Sequence, residues 1–365
     1  MTIAISGTNG ITLDGQFNSA SSMGFKNRIL NGGMVIDQRN AGASITPTAT
    51  VYSVDRWQAT VNVASKASFD QTTTAPTGFT NSMLVTSLSA YSVAAGDVVT
   101  YRQQIEGFNI ADLGWGTASA ATITVSFWVR SSLTGTFGGS VKNGGSTRSY
   151  PFTYTISSAN TWEQKSITIA GDTTGTWLTT TGIGIDVWWD LGCGSSNIGT
   201  AGSWAAAAYY GATGDTKLIS TLNATFYITG VQLEVGSTAT SFDYRPYGTE
   251  LALCQRYLPA WSFPDANTHV AQTFIYSTTT SGPVILANPV AVRTPVTGLV
   301  VSAASNFSVS DGDSATACNA ISVGNSSILT TGFSWGTATG RTAFRPHIFY
   351  TNASNALILG TGCEL

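Results

Sequence analysis

Apolar and polar residues alternate along most of this chain, and that period-two pattern predicts strands. In RWQATVNVAS, Trp57, Ala59, Val61 and Val63 share one face, and Arg56, Gln58, Thr60 and Asn62 share the other. VTYRQQIEG sets Val99, Tyr101, Gln103 and Ile105 against Arg102, Gln104 and Glu106. ATITVSFWVRSS sets Ile123, Val125, Phe127 and Val129 against Thr122, Thr124, Ser126, Trp128 and Arg130. GIGIDVWWDLG sets Ile183, Ile185, Val187 and Trp189 against Asp186, Trp188 and Asp190. Repeated alternation with Gly-rich turns between predicts an antiparallel sandwich rather than a parallel sheet with helices.

The pattern changes between Thr225 and Leu258. Phe226 and Ile228 keep one parity and Val231, Leu233 and Val235 the other, so a β-bulge is expected at Gly230. After Pro246 the apolar spacing becomes three and four, through Leu251, Cys254 and Leu258. With Thr249 as a cap and Glu250 in the first turn, this predicts a short helix over 249–258. Beyond it, THVAQTFIYS, PVILANPVAV, GLVVSAAS, FSVSD, TAFRPHIFY and NALILG predict short strands of a second β-domain.

The expected fold class is therefore all-β. An N-terminal arm and linker (1–26) precedes a β-sandwich (27–248), and a smaller C-terminal β-sandwich (249–365) opens with the hinge helix. The arm alternates as a hairpin through Ile3, Ile5, Ile11 and Leu13 and continues into the small-residue linker NSASSMG. A piece this small cannot bury a core alone, so docking on another protein is expected.

Composition narrows the chemistry. Charged residues are 10% of the 365 residues, against about 25% on average. A net charge of −3 carries no electrostatic footprint for nucleic acid or an anionic membrane. Only two histidines, His269 and His347, are present, which leaves little for imidazole catalysis or a His-based metal site. The four cysteines, 193, 254, 318 and 363, are too dispersed for a disulfide framework or a zinc site. Reduced thiols are expected, with Cys318–Cys363 the pairing to consider. Met1–Gly15 lacks the basic start and continuous apolar run of a secretion signal, and no stretch is long and apolar enough to span a bilayer.

A resemblance follows from an ordered set of motifs. NRILNGGMVIDQRN (27–40), YSVDRW (52–57), VTYRQQIEGFNI with TITVSFWVRSS, WEQKSITI (162–169) and the 226–258 stretch resemble a set found in bacteriophage tail-fibre and related virion proteins. The same core pattern is similar to jelly-roll carbohydrate-binding modules. The resemblance implies a jelly-roll sandwich, contact with host surface polysaccharide, attachment to other virion proteins through residues 1–26, and a homotrimer. A structural calcium ion belongs to many such modules, but Gly230 stands where they carry an acidic ligand. Asp37, Asp55 and Glu234 read more simply as turn and surface residues, and no cofactor is expected.

Trp128 and Trp188 fall on the polar phase of their strands, beside Arg130 and between Asp186 and Asp190. Pyranose C–H bonds lie against indole faces, while carboxylates and guanidinium groups bind hydroxyls directionally. Arg102, Gln104, Trp128, Arg130, Asp186 and Trp188 are therefore expected in one open groove; the alternative packs the two tryptophans under a loop or a neighbouring subunit. A second candidate is the 191–216 loop with Trp204, Tyr209 and Tyr210, which could equally cover a sandwich edge. Catalysis is not expected, because Asp186 and Asp190 share one strand face and no nucleophile or phosphate-loop motif occurs. The expected act is adhesion; a purely structural virion component is the rival reading.

Overall fold

The structure is a computed structural model; it describes residues 3–6, 10–13, 26–274, 280–312, 314–340, 342 and 344–365. Its regular structure is almost wholly strand, with one short α-helix and a few 3-10 turns among the described residues. Residues 3–6 (β1) and 10–13 (β2) pair as an antiparallel hairpin, Ile3 opposite Leu13. The linker NSASSMG lies outside the described residues. The chain divides into two compact units, each described separately below.

The first unit comprises Met1–Val35, Ser44–Val51 and Gln58–Arg245. Its remaining strands are β3 (Val51–Tyr52), β4 (Trp57–Val61), β5 (Ala67–Thr72), β6 (Ser82–Ser87), β7 (Val99–Glu106) and β8 (Ile123–Ser131). They continue with β9 (Gly135–Asn143), β10 (Ser149–Ile156), β11 (Glu163–Ile169), β12 (Ile183–Asp190), β13 (Ile198–Gly199), β14 (Gly211–Ala212) and β15 (Thr225–Val235). A six-stranded sheet runs β10-β9-β12-β7-β4-β3 and a five-stranded sheet runs β11-β8-β15-β6-β5. From β7 to β12 the chain crosses repeatedly between the two sheets, as a jelly-roll sandwich requires.

The apolar phases read from the sequence meet in the core. Tyr101, Ile105, Val141, Val187 and Trp189 face inward from one sheet, and Val85, Val125, Phe127, Phe226 and Ile228 from the other. Phe127 stands edge-on to Trp189 with ring centres 5.5 Å apart. The NGG segment lies along β15: Asn27 Oδ1 accepts the N–H groups of Ile29 and Leu233, and Asn27 Nδ2 donates to the Val231 carbonyl. A Cβ at Gly32 would stand 2.2 Å from that same carbonyl oxygen, so only glycine allows the approach. Buried Gln103 exchanges two hydrogen bonds with the backbone of Leu30.

The bulge in β15 falls where the parity slips: pairing with β8 shifts between Thr229 and Gln232, and Gly230 has φ +59°. Past it, Gln232 and Glu234 turn to the outer face. There they hold the returning chain: Gln232 Oε1 accepts from Asp243 N, and Glu234 from Thr240 N and Oγ1.

The second unit combines Pro246–Leu365 with Ile36–Ala43 and Tyr52–Trp57. The sequence suggested one boundary near residue 248, but two earlier segments belong with the C-terminal part. The helix α1 spans Tyr247–Gln255, two residues earlier than expected at its start, and its N-cap is Pro246 rather than Thr249. Cys254 and Leu258 are buried as the spacing suggests, whereas Leu251 is only half-buried.

The strands that follow are β16 (Ala260–Phe263), β17 (His269–Phe274), β18 (Ser281–Ala287), β19 (Gly298–Val301), β20 (Phe307–Ser310), β21 (Ala315–Val323), β22 (Thr330–Thr337), β23 (Pro346–Thr351) and β24 (Ala356–Thr361). Sheets β16-β24-β19 and β17-β23-β20-β21-β22-β18 enclose a core of Val284, Phe307, Val309, Phe333, Trp335, Phe349 and Ile358. Thr273 Oγ1 donates to the Pro283 carbonyl, bringing the two edge strands of the larger sheet together. All four cysteines are buried free thiols.

Candidate functional site

The structure brings four of the predicted residues together on the outer face of the six-stranded sheet. Asp186 stands opposite Gln104, and Trp188 opposite Arg102, across the β7–β12 pair. Arg102 Nη1 donates to Asp186 Oδ2 at 2.9 Å, and Gln104 Nε2 reaches the same oxygen at 3.4 Å. The Arg102 guanidinium lies 4.4 Å from the Trp188 ring centre. From β9, Lys142 Nζ lies 4.5 Å from the Trp188 ring and 4.0 Å from the Tyr210 ring, and the two rings are 4.6 Å apart.

This cluster is not an open groove. Trp188 is 3% exposed, Asp186 4% and Lys142 1%. The 191–217 loop folds back over the face. Ser140 Oγ and Ser149 Oγ donate to the carbonyls of Tyr209 and Ala207, Thr216 N donates to the Thr136 carbonyl, and Lys217 Nζ bonds to Asp190 and Asp215. The expectation of exposed Arg102, Gln104, Asp186 and Trp188 is therefore corrected: parity selects the face, but the loop covers it. Burial pushes the Lys142 ammonium down to about 8 and raises the Asp186 carboxyl above the usual range.

Trp128 and Arg130 are in the other sheet, so the six residues do not share one groove. On the outer face of the five-stranded sheet, Arg130 pairs with Tyr227, Tyr227 with Leu84, and Leu84 with Asp70. Arg130 lies over the Tyr227 ring at 5.0 Å and its Nε donates to the Asn160 carbonyl at 2.9 Å. Trp162 stands edge-on to Tyr227 at 6.0 Å. Trp162, Arg130, Tyr227, Leu84 and Asp70 thus cross the sheet in a line, and all five are half-buried. Neighbouring strands lie about 4.8 Å apart, so the line offers a rank of ring, guanidinium, ring, alkyl and carboxylate surfaces at strand spacing.

Trp128, also half-buried, stands opposite Gln164 and Thr229 beside this line. Its ring and that of Phe79 close on the bulge: a Cβ at Gly230 would meet them at 3.0 and 2.6 Å. Phe79 in turn packs with Phe242 and Tyr244. Trp162 and Tyr227 were missed from sequence, although the parity that selects Trp128 also places Tyr227 on the phase opposite Phe226 and Ile228.

The loop aromatics separate. Trp204 joins Trp115 and Trp177, with ring centres 4.6–5.5 Å apart, and Tyr150. Each indole N–H donates to a backbone carbonyl, those of Ala121, Thr174 and Ala170. Arg148 beside them forms a two-point ion pair with Asp172. Tyr209 packs on Gly199 and Tyr210 on Trp188, so the three predicted loop rings do not form one platform.

The acids considered for calcium each serve a turn. Asp37 accepts from Asn40 N and Gly42 N, Asp55 from Gln38, and Glu234 from Thr240. Among the described residues no group of three or more His, Cys, Asp or Glu is placed to hold a metal ion, and no helix is long and apolar enough to cross a membrane.

No protein-family model matches the chain, and no curated protein matches it. Among solved structures, the chain is similar to the enzymatically active domain of bacteriophage CBA120 tailspike protein 4, at TM-score 0.30 and 10% identity. That match covers 58% of this chain and 22% of the tailspike chain. It is also similar to a putative sugar binding protein from Bacteroides thetaiotaomicron VPI-5482 (TM-score 0.35, 12% identity, 57% of this chain and 100% of that one). TmCBM61 in complex with β-1,4-galactotriose gives TM-score 0.30 and 9% identity over 58% of this chain and 100% of that one. Scores this low leave ligand and activity to be argued from this chain's own residues.

Proposed function

We propose that this chain is a non-catalytic glycan-binding protein of a bacteriophage particle, in the tail or tail fibre, which adheres to host surface polysaccharide. The observation that carries the glycan reading is the half-buried line Trp162–Arg130–Tyr227–Leu84–Asp70. Its rings offer faces for pyranose C–H bonds, and the guanidinium and carboxylate at known strand positions offer directional partners for hydroxyls. Low overall charge suits a neutral, hydroxyl-rich ligand rather than a polyanion. The virion assignment rests on the ordered sequence motifs between Asn27 and Leu258. Homotrimerisation and attachment through residues 1–26 belong to the same reading, in which repeated weak sites raise avidity through effective concentration.

A glycan array with the full chain tests this directly. Binding to defined polysaccharides that falls in Tyr227→Ala and Trp162→Ala supports it; equal signals from wild type and both variants would sink the assignment of the face. No binding to any glycan, with the line buried on assembly, favours the structural virion role. Release of oligosaccharides from host polysaccharide would overturn the non-enzymatic reading.

A further inference from the structure

Asp190, Asp215 and Lys217 close the two ends of the 191–217 loop, and none of them takes part in the proposed glycan face. The Asp190 and Asp215 side chains are fully buried, and that of Lys217 is 18% exposed. Lys217 Nζ lies 2.7 Å from Asp190 Oδ2 and also bonds to Asp215 Oδ1. Asp190 Oδ1 points the other way and accepts the backbone N–H groups of Gly192 at 2.8 Å and Cys193 at 2.7 Å. Asp215 Oδ2 is buried with no hydrogen-bond donor against it. Glycines leave room for both acids: a Cβ at Gly211 would stand 2.0 Å from Asp190 Oδ2, and one at Gly138 would stand 2.3 Å from Asp215 Oδ2.

A half-buried amine in contact with one oxygen of a buried carboxyl, two N–H donors on that carboxyl's other oxygen and a second buried carboxyl beside the amine are the parts of an acyl-transfer site. We propose that Lys217 and Asp190 join through an intramolecular amide bond, with Asp215 carrying protons between them. The Lys217 ammonium gives up two protons, and the Nζ lone pair attacks Cγ of Asp190. Charge develops on Oδ1, where the Gly192 and Cys193 N–H groups already point. Oδ2 leaves with the two protons as water, so ammonium plus carboxylate become amide plus water, and no oxidant or co-reactant is needed. Asp215 accepts a proton from nitrogen, delivers it to Oδ2 and ends as it began. Its carboxyl is suited to this role, since burial and then the adjacent Asp190 raise it above the usual carboxylate range. The bond would staple the loop across the sheet face that holds Trp188.

Intact-mass spectrometry of the purified, folded full chain tests this. The expected mass is lower than that of its sequence by one water, and protease digestion yields a joined peptide containing Asp190 and Lys217. Lys217→Arg keeps the positive charge and is expected to show its full sequence mass, with folding checked by circular dichroism. Asp215→Ala is expected to slow or abolish the water loss while leaving both joined partners in place. A folded wild type at full sequence mass, with the two peptides separate, overturns the proposal. A link mapped between Lys217 and Asp215 overturns the choice of Asp190. Undiminished bond formation in Asp215→Ala removes Asp215 from the reaction.

Discussion

The Arg130 guanidinium rests 5.0 Å from the centre of the Tyr227 ring, across the β8–β15 pair. The pair is half-buried, with Trp162 edge-on to the same ring. Removing a central aromatic anchor from a small binding face costs about tenfold or more in affinity. Tyr227→Ala is expected to weaken glycan binding by about that factor, measured by titration calorimetry against the best array ligand, with the unfolding midpoint little changed.

Trp188 is expected to behave in the opposite way. Packed under Tyr210 with Lys142 and Arg102 against its ring, it serves the loop and the sheet. Trp188→Ala should cost about 3–5 kcal/mol of stability by denaturant unfolding. Affinity of the remaining folded protein for glycan should be unchanged; a selective loss of affinity would reopen the six-stranded face as a binding surface.

Gly230 couples the bulge to Trp128. A side chain in its left-handed conformation costs about 1–2 kcal/mol, and a Cβ there would also meet the rings of Phe79 and Trp128. Gly230→Ala is expected to lower stability by at least that amount and to alter Trp128 fluorescence against a Trp128→Phe control.

In the second unit, Arg39 Nη2 lies 2.6 Å from Glu364 Oε2, and its guanidinium stands over the Tyr52 ring. Arg293 Nε and Nη2 donate to the carbonyls of Cys363 and Glu364. Arg39→Ala should destabilise this unit by about 1.5–3 kcal/mol. Combining it with Glu364→Ala should cost less than the sum of the two, as a double-mutant cycle would read.

Asp55 supplies a pH dependence. Burial pushes its carboxyl up from 3.8 to about 7. Between those values the folded chain binds a proton that the unfolded chain has lost, so stability falls as pH rises through this window. Unfolding midpoints should therefore be higher at pH 5 than at pH 8, and Asp55→Asn should flatten the difference. An unchanged slope in the variant would assign the effect to other groups.

Much of the architecture was legible in the chain because strand period and inward packing are local consequences of residue order. Val125, Phe127 and Val129, or Val187 and Trp189, could take only one face of their strands, and the parity slip at Gly230 marks the bulge. The site was less legible. Parity placed Trp128 and Trp188 on polar phases, but it carries no information about which sheet a strand joins or what returns to cover it.

Sequence alone determined that this is an all-β chain, with strand phases set by alternation and a short helix after Pro246. Tertiary structure decided that Trp188 is enclosed and Trp162 with Tyr227 half-open, and that Asp190 meets Lys217 across an intervening loop. Those outcomes depend on contacts between segments far apart in the chain. The position of a covering loop is set by side-chain bonds such as Ser140 to the Tyr209 carbonyl, which no local pattern encodes.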